Sequence, residues 1–569
     1  MKNNSKSLII LTLSLLPLAC TNSAYRQSAD DETYAAIAGK SSLVPGVSTQ
    51  IGIDEQLAVD LSPYPVNNEV FDFLDIEAES EVGAHVLSLN AALDLAFRHS
   101  RDYQSQKEAL YQEALALTFD RYRYTPIFNA GAGADYQWDA RDQFVADMEA
   151  LTGIESVSNG EIINTSESTF SSTSLGARYL LQSGGVIALN LTNNLTRFLT
   201  GDVTETVSGA FIGSFTQPLL RDFGRAIETE TLIQAERNLL YQLRDFTRFR
   251  KVFAVRVASD YYSVLLNRET ARNNYQGLQA TNLSLEREQA FQAEGLTTLL
   301  QVGRLEQSAL QADLRWTTAI TRYKRSLDNF KILLGISADD RIILDDNEMS
   351  LIAETGMDSP DISLAQATEM ALQTRLDLYT GLDRVQDSAR KINVAANALR
   401  PALDFSAVVN VPTSTSENIG EFDFENAVYS AGLDLELPLD TKAQRNDYRR
   451  ALINYEATTR AYTLASDNIK LDVLDAWRRM NQARKSFDIS QTSVEINERR
   501  VEEALLRAEL GLGNIQDTVD SQNDLTAAQT DLVNSIVEHN IAKLEFWRDV
   551  GLLYVNDSGR WEEGTNEPR

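Results

Sequence analysis

The stretch LSLNAALDLAFRHSRDYQSQKEALYQEALALTFDRYRYTPIFNAGA, Leu87 to Ala132, lies in register with ISLAQATEMALQTRLDLYTGLDRVQDSARKINVAANALRPALDFSA, Ile362 to Ala407, 275 positions later and without a gap. Matches fall at Ser88/Ser363, Leu89/Leu364, Ala92/Ala367, Ala96/Ala371, Asp102/Asp377, Ala114/Ala389 and Pro126/Pro401. In each copy a short apolar-periodic helix leads into a second helix that stops before proline, after which the apolar period drops from about four to two. The chain reads as a tandem duplication in which helix gives way to strand at Pro126 and again at Pro401.

The repeat extends downstream, because Phe215-Thr216-Gln217-Pro218-Leu219 aligns with Leu435-Glu436-Leu437-Pro438-Leu439, and Leu334-Gly335-Ile336 with Val550-Gly551-Leu552. The expected division is a first helix-strand-helix repeat over 85–336, a linker over 337–360, a second repeat over 361–555 and a tail over 556–569. Pro126 and Pro218 are 92 positions apart whereas Pro401 and Pro438 are 37 apart, so the first copy carries 55 extra residues in its strand region, 127–217. The turn Gln182-Ser183-Gly184-Gly185 falls in that excess and marks an additional hairpin.

At 569 residues, two or more units are expected. With 82 acidic against 52 basic residues and a formal charge of -30, the chain repels phosphate, which disfavours nucleic-acid binding. Residues 1–19 have the pattern of an export signal: Lys2 and Lys6, the apolar run Leu8 to Leu16, then Leu18-Ala19 before Cys20. Cys20 is the only cysteine, so no internal disulfide forms. Its position resembles the lipobox of bacterial lipoproteins, which implies acylation at Cys20, and the absence of Asp at Thr21 implies outer-membrane sorting. Pro17 stands where that pattern prefers Leu, so ordinary signal-peptidase cleavage nearby stays open. After the signal no run of about 18 apolar residues follows, which excludes a transmembrane helix and leaves a β-barrel as the only way across a membrane.

Residues 20–84, polar and punctuated by Pro45, Pro63 and Pro65, predict an extended arm. A longer helix is expected over about 101–124, followed by strands from Phe128. Ile187, Leu189 and Leu191 alternate with Asn190, Thr192 and Asn194, a period of two that suits a strand with lipid on one side and water on the other, or an ordinary half-buried sheet. In the second copy the strands fall over about 402–437, with Leu403, Phe405, Ala407 and Val409 alternating with Asp404, Ser406 and Asn410. Residues 139–170 and 412–428 are expected to be polar loops at the cell surface.

Leu232, Ala235, Leu239, Leu243, Phe246, Phe249, Phe253, Val257 and Tyr261 recur near the helical period with no proline from 227 to 290. This predicts one helix of about 95 Å at ~1.5 Å per residue. Gly295 breaks it and a return helix runs from Thr298 to Leu333. The second copy repeats the design from Lys442 to Ala508, breaks at Gly511 and Gly513, and returns from near Asn514 to Val550. Each return helix is too short to flank its long partner unless the helix before the proline stacks on its end. The result is four columns per chain, too few to close a useful bore, so oligomerisation is expected.

Catalytic constellations are poorly represented. His85, His99 and His539 show no metal-ligand spacing, and there is no phosphate loop. No cofactor is called for and no enzyme is expected.

The duplicated starts Leu87-Ser88-Leu89 and Ile362-Ser363-Leu364, the Pro126 and Pro401 stops, the return Thr216-Gln217-Pro218-Leu219-Leu220, and the breaks Gly295-Leu296 and Gly511-Leu512 together resemble the TolC-like outer-membrane efflux proteins over residues 85–555. The resemblance implies a mainly α fold with a β-barrel part: tandem long helical hairpins forming a periplasmic tunnel, and strands contributing to one transmembrane barrel shared by a homotrimer. It also implies that the hairpin tips, Gly295, Leu296, Gly511 and Leu512, contact a periplasmic adaptor protein linked to an inner-membrane transporter. Lipid attachment occurs in the family, in keeping with Cys20. Two aspartates after the second break line the family's periplasmic constriction, and the matching positions hold Asp517 and Asp520. In the first copy the same places hold Gln301 and Arg304, and Gly513 replaces a basic residue often found there.

The leading reading is a passive channel of a tripartite efflux or type I secretion system in the outer membrane of a Gram-negative bacterium. The alternative is a structural or adhesive coiled-coil envelope protein without a channel.

Overall fold

The computed structural model describes residues 22–47, 51–53, 58–140, 165–198, 205–355, 358, 360, 362–413, 422–510 and 515–563. In chain order the elements are helix α1 (Asn22–Ser41), strand β1 (His85–Leu87), α2 (Leu89–His99), α3 (Arg101–Tyr122), β2 (Ile127–Ala140), β3 (Thr165–Leu180), β4 (Val186–Phe198), β5 (Glu205–Pro218), α4 (Glu230–Ala293), α5 (Leu299–Leu334), β6 (Ile342–Leu344), α6 (Asn347–Thr355), α7 (Leu364–Thr374), α8 (Leu376–Asn397), β7 (Ala402–Pro412), β8 (Val428–Glu436), α9 (Lys442–Glu509), α10 (Ile515–Val550), β9 (Leu553–Val555) and β10 (Trp561–Glu563). The aligned serines have one job in both copies. Ser88 caps α2 by accepting from Ala91 N–H at 3.3 Å, and Ser363 caps α7 by accepting from Gln366 N–H while donating to the Gln366 side chain. An uncapped helix start leaves amide donors unpaired, at a cost of about 1 kcal/mol.

The chain divides into two compact units, and both draw on both repeats. One comprises 1–113, 239–383 and 460–569; the other comprises 114–238 and 384–459. In the first unit the predicted stripe of α4 forms the core: Leu239, Leu243, Phe246, Phe253, Val257 and Tyr261 are buried, whereas Phe249 is only half-buried. Phe97 and Tyr103 pack on Phe253 with ring centroids 5.4 and 5.5 Å away. The arm is helical over α1, where the sequence predicted extended chain. Thr33, Ala36 and Ile37 form its buried face, Tyr34 meets Tyr111 edge-on, and Tyr111 donates to Asp30 at 2.5 Å. So short an apolar face gives little periodic signal; contact with α3 supplies what the local sequence lacks.

The first unit also shows how each return helix meets the helix it was expected to prolong. Helices α5 and α10, each 36 residues long, end on Gly335 and Gly551, which adopt φ +81° and +88°. Ile336 N–H reaches Lys331 O and Leu552 N–H reaches Trp547 O, closing the same C-terminal motif in both repeats. Gly335 lies against the His99–Ser100 junction that opens α3, and Gly551 against the Thr374–Arg375 junction that opens α8. Thr374 Oγ1 donates to Val550 O at 2.7 Å. These contacts are the end-to-end stack expected from the helix lengths, since 36 and 22 residues approach the 64 of α4. The linker contributes β6, which pairs in parallel with β1, so His85 faces Ile342 and Leu87 faces Leu344.

The second unit holds one antiparallel sheet in the order β2-β3-β4-β5-β7-β8. The first repeat supplies four strands and the second supplies two. The predicted extra hairpin is β3–β4, turned by Leu181 N–H to Gly185 O at 2.7 Å with Gly184 at φ +89°. Strands occupy part of what was expected to be surface loop: β2 runs through Ala140 and β3 starts at Thr165, so 139–140 and 165–170 belong to the ladder. In the second copy the ladder likewise takes in Pro412 and Val428. Residues 141–164 and 414–421 of the two proposed surface loops lie outside the described residues, as do Cys20, Gly511 and Leu512.

Candidate functional site

In an antiparallel ladder, residues directly opposite one another share a face. The row Ala130, Leu175, Leu191, Phe211 and Val411 runs unbroken across β2, β3, β4, β5 and β7. Neighbouring rows on that face add Phe128, Ala177 and Leu189, and, on the second repeat, Phe405 opposite Leu433 and Val409 opposite Tyr429. The other face carries Asn129, Gly176 and Asn190 in one row and Ser172 with Asn194 in another. Asp404 opposite Asp434 lies on this polar face too. The alternation seen separately in each strand is therefore coherent across these rows, although Phe170 and Ile212 fall on the polar face and Thr173 with Asn193 on the apolar one.

Most of the apolar face is uncovered; Val411 is buried, and Phe422 packs on Phe211. Phe128 is 77 % exposed, Tyr429 70 % and Leu433 65 %, where a water-soluble sheet would bury them against a second layer. Both edges are open as well: among the described residues β2 and β8 each have a neighbour on one side only. On the polar face bulk is kept low, since a Cβ on Gly131 or Gly133 would press on Ser174 or Ser172, and one on Gly176 would overlap Asn129. Such a sheet can pass its apolar side to lipid and its polar side to water, provided its edges find partners.

Of the two predicted hairpin turns, the first is described throughout. Gly295 takes φ +73°, its N–H reaches Gln292 O and Leu296 N–H reaches Phe291 O, the motif already met at Gly335. Thr298 and Gln301 form a capping box at the start of α5, and Thr297 joins the buried Glu288 to Gln301. Leu296, Leu299 and Leu300 project outward, each more than 65 % exposed. In the second turn the predicted Gly511 and Leu512 are not described. Asp517 and Asp520 are: both are exposed on the first turns of α10, while Thr518 and Ser521 between and after them are buried. Gln516 donates to Asp520 at 2.9 Å, and Arg500 of α9 pairs with Asp524 one turn further on at 2.8 Å. The two aspartates thus share an outward face, as their spacing predicted, and the N-terminal end of α10 favours their charge.

Several charged groups of the first unit were not legible beforehand. Arg268, 1 % exposed, pairs with Glu81 at 3.2 Å and with Asp346, and lies 4.6 Å from the Phe71 ring. Tyr323 Oη and Lys324 Nζ also donate to Glu81. Burial would raise Asp377, but hydrogen bonds from Arg375 and the nearby Arg248 hold it below the usual carboxylate range. Lys251 donates to Gly551 O at 2.9 Å; burial, with Arg250 beside it, pushes its ammonium down to about 8. Apart from Arg375 and Asp377, which are close in sequence, these pairs join segments far apart in the chain, so no local spacing announces them. Among the described residues no group of His, Cys, Asp and Glu is placed to hold a metal, and no helix is long and apolar enough to cross a membrane.

Comparison with known proteins follows the same outline. Residues 367–536 match the family model described as outer membrane efflux protein. No curated protein matches the chain. Among solved structures, a membrane protein from Pseudomonas aeruginosa is similar at 15 % identity and a TM-score of 0.59, over 88 % of this chain and 99 % of that one. The Campylobacter jejuni CmeC outer membrane channel is similar at 14 % identity and 0.58, over 92 % and 96 %. The outer membrane protein VceC of Vibrio cholerae is similar at 15 % and 0.57, over 81 % and 96 %. The fold of this chain is therefore that of these outer-membrane proteins, and the outer membrane efflux protein model matches residues 367–536, within the second repeat.

Proposed function

We propose that this protein is the outer-membrane duct of a tripartite efflux or type I secretion system, conducting solute passively from the periplasm to the outside. Three copies share one barrel, with outer-membrane lipid against its apolar face. The long helices form the periplasmic tunnel. The turns at Gly295-Leu296 and Gly511-Leu512 meet an adaptor protein that couples the duct to an inner-membrane transporter, and Asp517 and Asp520 ring the periplasmic aperture. Cys20 carries a lipid anchor, which intact-mass analysis of the mature N-terminus tests: an unmodified cysteine or cleavage elsewhere ends that part. The work is conduction, so no residue is assigned a catalytic step.

The observation that carries the reading is the six-stranded sheet with one mainly apolar face left mostly bare and, among the described residues, both edges open. A coiled-coil stalk has no use for such a surface. The test is extraction of the membrane fraction followed by sizing in detergent and conductance in planar bilayers. A heat-modifiable trimer that forms channels is expected. Release without detergent, or a sized species that conducts nothing, would overturn the proposal in favour of a stalk.

A further inference from the structure

We infer that the β3–β4 hairpin is a width-setting insert: it enlarges the barrel built by copies of this chain without changing how they join. The inference rests on the channel reading and concerns one part of it. The second repeat passes from β7 straight to β8, whereas the first passes from β2 to β5 through an extra pair of strands. Adding two strands preserves direction, because β2 and β5 run antiparallel to each other with the hairpin present and would still do so without it. It also preserves the faces. The row Ala130, Leu175, Leu191, Phe211 crosses the insert with its apolar side continuous.

With six alternating strands the open edges β2 and β8 point in opposite senses, so β8 of one copy can pair antiparallel with β2 of the next and leave no edge. A second copy of this chain is thus the partner that these edges fit. Three copies give an even barrel of about 18 strands, where a chain lacking the insert would give about 12. At ~4.8 Å between strands and a tilt of ~40°, backbone diameters are about 36 Å and about 24 Å. The insert's water side is built for passage more than for binding. Ser172, Ser174, Thr192 and Asn194 are short and neutral, and Arg178 alone brings charge. The barrel is accordingly the wide end of the duct, admitting bulky polar solutes.

Two measurements on the full chain test this. In a Cys20→Ala background, Ala130→Cys with Leu175→Cys, and Leu191→Cys with Phe211→Cys, should each form disulfides in the membrane. Ala130→Cys with Phe211→Cys should not, being about three strand spacings, or ~14 Å, apart. A disulfide in that last pair would place β2 beside β5 and overturn the inference, whatever the subunit number. Second, a variant lacking residues 165–204 should keep the subunit number of the full chain, and polymers applied from the barrel side should be excluded at a radius about 1.5-fold smaller. An unchanged cutoff at an unchanged subunit number would also overturn it. Loss of all channels by the full chain itself would instead remove the function proposed above. Should the deletion variant fail to assemble, the disulfide pattern decides alone.

Discussion

Gly335 and Gly295 end helices with the same hydrogen-bonded motif and nearly the same backbone angles, φ +81° and +73°, yet sit in different surroundings. Around Gly295 a methyl group would meet nothing within 4 Å, whereas at Gly335 it would overlap the carbonyl of His99 and come within 3.0 Å of Ser100 N. Alanine in the left-handed region costs about 1–2 kcal/mol wherever it occurs. Forcing a methyl into packed backbone, which cannot rotate aside, adds about 1–3 kcal/mol. Gly295→Ala should therefore lose about 1–2 kcal/mol and Gly335→Ala about 2–5 kcal/mol. Gly551→Ala falls between, because its methyl meets the Thr374 side chain, which can move once it gives up its bond to Val550 O. Unfolding of the three variants in guanidinium, followed by the helical circular dichroism signal in detergent, reads the order directly. Equal shifts for Gly335→Ala and Gly295→Ala would show that the return helix does not abut α3, and the stacking of short helices against the long ones would fall with it.

Three other outcomes are expected. Replacing Asp517 and Asp520 together by alanine should raise single-channel conductance, weaken cation selectivity and relieve block by trivalent cations with the oligomer intact, since an acidic ring concentrates cations; unchanged selectivity with a lower melting temperature would leave the aspartates only the role of favouring the start of α10. Glu81→Ala strands the buried guanidinium of Arg268 and should destabilise by about 3–5 kcal/mol, and a loss below 1 kcal/mol in denaturant titration would show that Asp346 and the aromatic rings suffice. Lys251, whose folded-state value lies near 8 against about 10.4 unfolded, holds its proton more weakly when folded. Its unfolded form binds more protons between those values, so its contribution rises with pH there; wild type should gain about 2–3 kcal/mol on Lys251→Met between pH 7 and 10.5, and a pH-independent difference in thermal midpoints would refute it.

Much of this architecture is written locally. Prolines that end helices, glycines that break them and the two apolar periods act over a few residues each, so Pro126, Pro401 and Gly295 have their places before any contact is known, whereas the caps at Ser88 and Ser363 come from the structure. The duplication helped further, because a weak local signal met twice in the same order is far less ambiguous. Asp517 and Asp520 were legible as a pair on one face for the same reason: a spacing of three on a helix needs no partner to be read. Helix α1 was missed because three residues are too few to show a period. The ion cluster of Glu81, Arg268 and Asp346 was missed because its members are separated by 187 and 78 positions along the chain, and charges in an acidic protein look solvated until burial is known. Period-two alternation is common to a lipid-facing strand and a half-buried one, so each strand alone left the choice open. Only the six-strand register decided it: most apolar sides fell on one face, and the described residues left most of that face uncovered. Local preference chooses helix, strand or turn, whereas what lies against an apolar surface is a property of the assembled chain.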